Sequence, residues 1–251
     1  MPNANYRRRI RLGTLAMLLL AAATPCAMAQ DASALISEVA KQDYSPALRN
    51  IVLLTALSVI PILLISMTSF TRIVIVLAML RHALGLPQTP PNSVIITLAI
   101  CLTYFSMSPV IDRVNETAIA PLLAQKITAP EAMEIGAKPI RTFMVSQTRE
   151  SDLRAVLEMA RVPMPDSVDD VRFAHLMPAF LLSELKTAFQ IGFVIFLPFL
   201  LIDLVVAAAL MALGMIMVPP ATISLPLKIL LFVLIDGWVL VSRSLLSSYW
   251  S

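Results

Sequence analysis

The sequence predicts an all-α, polytopic membrane protein: two hydrophobic helical hairpins joined by a small helical periplasmic domain. Three observations predict it. The 251 residues are 58% apolar and 14% charged, with a mean hydropathy of +0.83. Soluble domains are about half apolar and a quarter charged, so a soluble fold of this composition lacks the polar surface to cover itself. Four long apolar runs occupy 51–80, 94–110, 191–218 and 223–246. Turn residues separate them in pairs: Gly85, Pro87, Pro90 and Pro91 in the first gap, Pro219 and Pro220 in the second.

Residues 1–29 read as a cleavable signal peptide. Arg7, Arg8, Arg9 and Arg11 precede an apolar run over 12–23, and Ala27-Met28-Ala29 supplies a small-x-small cleavage site. An uncleaved anchor is the alternative, but the run has about 12 residues where a span needs about 20. Removing the signal takes the formal net charge from +3 to −1. The basic pI therefore belongs to the targeting segment, and no nucleic-acid footprint remains. Cys26 leaves with the signal and Cys101 sits in an apolar run, which excludes an internal disulfide. His82 and His175 are too few for a metal site; neither a metal nor another cofactor is expected.

After the signal, 30–50 forms an N-terminal periplasmic segment. The first hairpin covers 51–110, and its second arm is short, about 17 residues or about 25 Å. The stretch 111–188 is mixed in charge and carries helical patterns over 131–144 and 151–160, with Thr128 or Ala129 capping and Pro130 at the first turn. It is read as the periplasmic domain, because cleavage leaves the new N-terminus outside the cytoplasm. The second hairpin covers 189–251 and has a methionine-containing tip. Pro61, Pro198 and Pro226 fall within or near apolar runs, where packed neighbours re-satisfy freed carbonyls.

Arg72, Asp203, Lys228, Asp236 and Arg243 lie within or at the ends of the apolar runs. An ionisable group at mid-membrane costs at least about 2.5–3.5 kcal/mol on insertion scales, so such residues face protein or water. The alternative is that Arg72 and Arg243 snorkel to an interface while the others form structural pairs between subunits. In a straight hairpin turning at 218–222, Asp203 is about 22 Å from the turn and Lys228 about 8 Å. Pairing between them then requires two subunits displaced along the axis. Met215 and Met217, two of 14 methionines, read from spacing alone as hydrophobic filler. No nucleophile elbow, Walker loop, His-Glu-x-x-His motif or paired intramembrane carboxylate occurs, so no enzymatic activity is expected. Glu184 reads as part of a helix entering the membrane. A proton-coupled small-solute carrier using Asp203, Asp236 and Lys228 stays open on these residues.

The 16 residues PAFLLSELKTAFQIGF at 178–193 resemble the signature of the flagellar biosynthesis protein P (FliP) family, core subunits of the type III secretion export gate. The resemblance continues through SFTRIVIV at 69–76, MSPV at 107–110, MIMVPP at 215–220, PLK at 226–228 and DGW at 236–238. It implies that several copies assemble with flagellar biosynthesis proteins Q and R and other export-apparatus membrane proteins into a helical multi-subunit pore. That pore resembles an entrance for unfolded flagellar export substrates at the bacterial inner membrane, within the flagellar basal body, with much of it on the periplasmic side. The resemblance also implies a methionine gasket at Met215, Ile216 and Met217, where the β-branched Ile216 replaces a methionine common in the family. It makes Arg72, Glu184, Asp203, Lys228 and Asp236 candidate assembly charges. The equivalent subunit of a virulence injectisome is the neighbouring alternative.

Overall fold

The computed structural model describes residues 50–250 except 52, 53, 56, 59–61, 64, 166, 168, 169 and 216. The expected signal peptide, residues 30–49, Pro61 and Ile216 lie outside the described residues. Among the described residues the chain is helical throughout, with no strand.

The apolar run 51–80 does not form one helix. The described residues from 50 to 66 have helical backbone, which ends in a turn at 67–69. There the Thr68 hydroxyl donates to the Ile65 carbonyl at 2.9 Å and accepts from the Phe70 amide at 3.4 Å, an arrangement that competes with helix continuation. A new helix, α1 (Phe70–Ala83), follows; its 14 residues are too short to cross a bilayer. It buries Ile73, Val76, Leu77 and Leu80 completely. Its apolarity thus serves a protein core.

The second run proves longer than its apolar stretch. Helix α2 (Asn92–Val114) passes through Pro109, widens into a π-helical turn at Asn115–Ile119 and closes as α3 (Ala120–Leu123). Together they make 32 helical residues. Helix α4 (Ala129–Gln147) starts at the expected place: Thr128 is its N-cap, and its amide donates to the Glu131 carboxylate at 2.8 Å. Glu131 is held below the usual carboxylate range by that bond and by the Thr128 hydroxyl. Helix α5 (Glu150–Met159) matches the pattern over 151–160.

The spine is α6 (Phe173–Ala212), 40 residues long. At about 1.5 Å per residue it is about 60 Å long, twice a hydrocarbon core of about 30 Å. It runs unbroken through position 188, so one helix serves both the charged middle segment and the last hydrophobic hairpin. Helices α7 (Pro220–Leu234) and α8 (Gly237–Ser247) follow, bent by 64° relative to each other. By length and composition the α2–α3 helix and α6 can cross a membrane, and the bent α7–α8 pair is a third candidate.

Two cores hang on α6. One joins α1, α2, α6, α7 and α8 around Ile73, Leu77, Leu80, Phe199, Phe232 and Leu245. The other joins α4, α5 and the first half of α6 around Met144, Leu157, Leu176 and Phe180. Phe143 links them, edge-on to Phe180 at 6.0 Å and stacked on Tyr249 at 6.1 Å.

Candidate functional site

The α6–α7 hairpin ends in an apolar tip. Helix α6 stops because Gly214 adopts φ +75°, a left-handed conformation that only glycine adopts without strain. The Met215 amide then donates to the Leu210 carbonyl at 2.9 Å, satisfying a helix-end acceptor. Pro219 and Pro220 restart the chain as α7, with Pro220 in the first turn. The loop projects Met217, 96% exposed, and Met215, 44% exposed, beyond the helices. Leu213 and Met211 add to the same apolar surface. Such a surface is unusual on a finished protein exterior, and methionine's unbranched side chain adapts to whatever covers it.

Behind the tip, the Lys228 ammonium donates to Asp203 Oδ2 at 2.6 Å. The expectation that these residues cannot meet within one hairpin is therefore corrected. Counted from the true helix ends, Asp203 lies nine residues before Ala212 and Lys228 eight after Pro220, so both are about 12–14 Å from the loop. The described residues between Ala212 and Pro220 form a loop and add no helical rise to the α6 arm. Lys228 is buried and also reaches the Ala83 carbonyl at the end of α1 at 3.3 Å, where the helix dipole favours a cation. Asp203 keeps 41% of its side chain exposed, so the pair presents one carboxylate edge outward.

Arg72 does not snorkel. It is 3% exposed and forms an ion pair with Glu184, itself fully buried. Its Nε donates to Glu184 Oε2 at 3.1 Å, one Nη to Gln147 Oε1 at 3.1 Å, and the other to the Ser248 hydroxyl and carbonyl at 3.2 and 3.3 Å. The Tyr249 hydroxyl donates to Glu184 at 2.7 Å, and the Tyr249 ring centre lies 3.9 Å from the guanidinium carbon. Every polar direction of this buried pair is thus used, which is what makes a charge tolerable inside. The network joins α1, α4, α6 and the C-terminal residues at the junction of the two cores.

A second network was not anticipated. Asp152 on α5 is buried, accepts from the Ser183 hydroxyl at 2.8 Å and pairs with Lys186, both on α6. Burial pushes the Asp152 carboxyl up, but the Lys186 and Ser183 bonds outweigh it and hold the group below its ordinary value. Ser183 also accepts from the Arg149 amide at 3.0 Å. A signal existed in the sequence: an acidic residue next to the apolar face formed by Leu153, Val156 and Leu157 needs a partner. Which partner it takes depends on α6 and could not be read locally.

Asp236 and Arg243 stand apart. Both are exposed, and neither side chain has a hydrogen-bond or ion-pair partner among the described residues. Asp236 has φ 55° and starts α8 at the bend. The structure therefore brings Arg72 to Glu184 and Lys228 to Asp203, and leaves Asp236 outward.

The FliP family model matches residues 53–245. The chain is 53% identical over 210 residues to the flagellar biosynthetic protein FliP of Pectobacterium carotovorum, covering 84% of this chain and 81% of that protein. The protein of the same name from Bacillus subtilis is 50% identical over 208 residues, 83% of this chain and 94% of that one. The one from Caulobacter vibrioides is 43% identical over 245 residues, 98% and 92% of the two chains. The matched region contains both charged pairs, the methionine tip and both membrane-length helices, so the chain belongs to the FliP family.

Proposed function

We propose that the chain is a core pore-forming subunit of the flagellar type III protein export gate, passing unfolded flagellar subunits across the inner membrane without chemistry of its own. The observation that carries this reading is the apolar tip with Met217 almost wholly exposed, in a chain of the FliP family. Copies stacked around an axis, with flagellar biosynthesis proteins Q and R and other export-apparatus membrane proteins, would bring several tips together. Methionines converging there close a conduit at rest and yield to a passing chain, because the thioether side chain repacks easily. The long exposed apolar faces of α2 and α6, including Ile100, Tyr104, Phe193, Leu200 and Leu204, supply surface for neighbouring subunits and lipid. The length of α6 supports an assembly standing partly on the periplasmic side of the membrane, with 111–188 and the start of α6 there.

The test is a flagellated bacterium lacking its own FliP-family subunit. The intact chain should restore swimming, and Met215→Ala with Met217→Ala should raise ion leakage through the assembled gate. An unchanged leak would remove the gasket role, and failure to restore swimming would remove the flagellar assignment.

A further inference from the structure

Helix α8 buries one side and leaves the other without a partner. Val241 and Leu245 are buried, and Trp238 lies edge-on to Phe232 at 5.3 Å. On the opposite side Asp236, Leu240, Arg243 and Ser247 form a single stripe, because residues spaced by four, three and four recur on one helical face. All four are exposed, Leu240 at 56%, and Val239 beside them at 41%. The stripe thus carries an acid at its start, a base seven residues on and apolar side chains between. Acid and base are seven residues apart, about 10 Å along the axis, too far to neutralise each other within the helix.

The acidic end sits at a constrained bend. Asp236 sits in the left-handed region at φ 55°, which a non-glycine residue adopts at some cost. Gly237 fixes the bend, since a Cβ there would lie 2.2 Å from the buried Phe232 ring. The backbone that carries the exposed Asp236 carboxylate is thus set by local packing, in a helix pair apolar enough to be a membrane span. An exposed charge in such a segment calls for a counter-charge.

We infer that this stripe is an interface with a second copy of the chain, in which Asp236 of one copy pairs with Arg243 of the next. The inference rests on the proposed assembly of several copies. The argument for a second copy is self-complementarity. Two parallel α8 helices displaced by seven residues set Asp236 of one copy against Arg243 of the next, and Leu240 of the first then faces Ser247 of the second. A displaced contact of this kind is head-to-tail, using different ends of the stripe on the two copies, and it propagates a helical stack rather than closing a pair. Lys228, Asp203, Arg72 and Glu184 are engaged within their own chain and do not compete for either end.

The test uses the full chain in a Cys26→Ser, Cys101→Ser background, expressed as two differently tagged copies in a flagellated host lacking its own subunit. One copy carries Asp236→Cys and the other Arg243→Cys; oxidation of membranes should yield a disulfide-linked pair containing both tags. In parallel, Asp236→Arg and Arg243→Asp should each lower swimming about tenfold, and the two together should restore it to within about twofold, as expected when an ion pair is reversed rather than removed. Copies that co-purify but neither cross-link nor show rescue would overturn the inference and leave the gate assignment standing. Cross-linking of Asp236→Cys to a different export subunit, or Arg243 changes that respond only to anionic lipid content, would overturn it too. Tagged copies that fail to co-purify at all would overturn both.

Discussion

Arg72 and Glu184 show what a charge must find before it can be buried: a guanidinium with its N–H groups engaged and a carboxylate held by Arg72 and Tyr249. Such a pair is expensive to break and cheap to replace. Removing one partner strands the other in the interior at about 3–5 kcal/mol, whereas exchanging both for apolar residues of similar size is often neutral. Glu184→Gln is therefore expected to lower the unfolding free energy in detergent by roughly that amount, and Arg72→Met with Glu184→Met to recover most of it. Equal losses in the single and double variants would contradict the account. The spacing of these residues in sequence, 112 positions, carried no hint that they meet. Their placement in apolar surroundings did carry the hint that each needed a partner.

At the scale of elements, α5 is tied to α6 by Asp152, and that tie responds to pH. The Asp152 carboxyl is held below its unfolded value, so the folded state binds the proton more weakly than the unfolded chain. The stabilisation is complete above the ordinary carboxylate pKa and is lost as pH falls through the depressed folded value. Thermal unfolding of the detergent-solubilised chain should therefore show stability falling on acidification, and Asp152→Asn should flatten that fall while lowering stability at neutral pH. An acid limb of unchanged slope in the variant would assign the response to other carboxylates. The α4 start at Thr128 and the α5 pattern were legible because caps and periodicity are local. The break at 67–69 left a local cue in the polar cluster Ser66, Thr68, Ser69, Thr71 and Arg72, but such a cluster between two apolar stretches fits a polar patch within one span as well as the end of a helix.

Over the whole molecule, α6 sets the geometry, being about twice as long as a hydrocarbon core is thick. Its first half carries Glu184, Lys186 and the core shared with α4 and α5, and the proposed gate places that half outside the bilayer. Single cysteines at Leu182 and Leu204, both on exposed faces, separate the two halves in a Cys26→Ser, Cys101→Ser background. A membrane-impermeant maleimide added to membranes opened on both sides should label Leu182→Cys and spare Leu204→Cys; equal labelling would place the whole helix at one depth. Composition and the apolar runs by themselves determined an all-helical membrane chain and its two turns, since hydropathy and turn chemistry act within a few residues. The motifs at 178–193 and 215–220 determined the family. Only the tertiary structure decided which apolar stretches are core and which are membrane-length, that Asp203 meets Lys228 inside one hairpin, and that Arg72 is buried. Those outcomes depend on where helices end and on which distant faces pack together, and a buried apolar face and a lipid-facing one are written in the same residues.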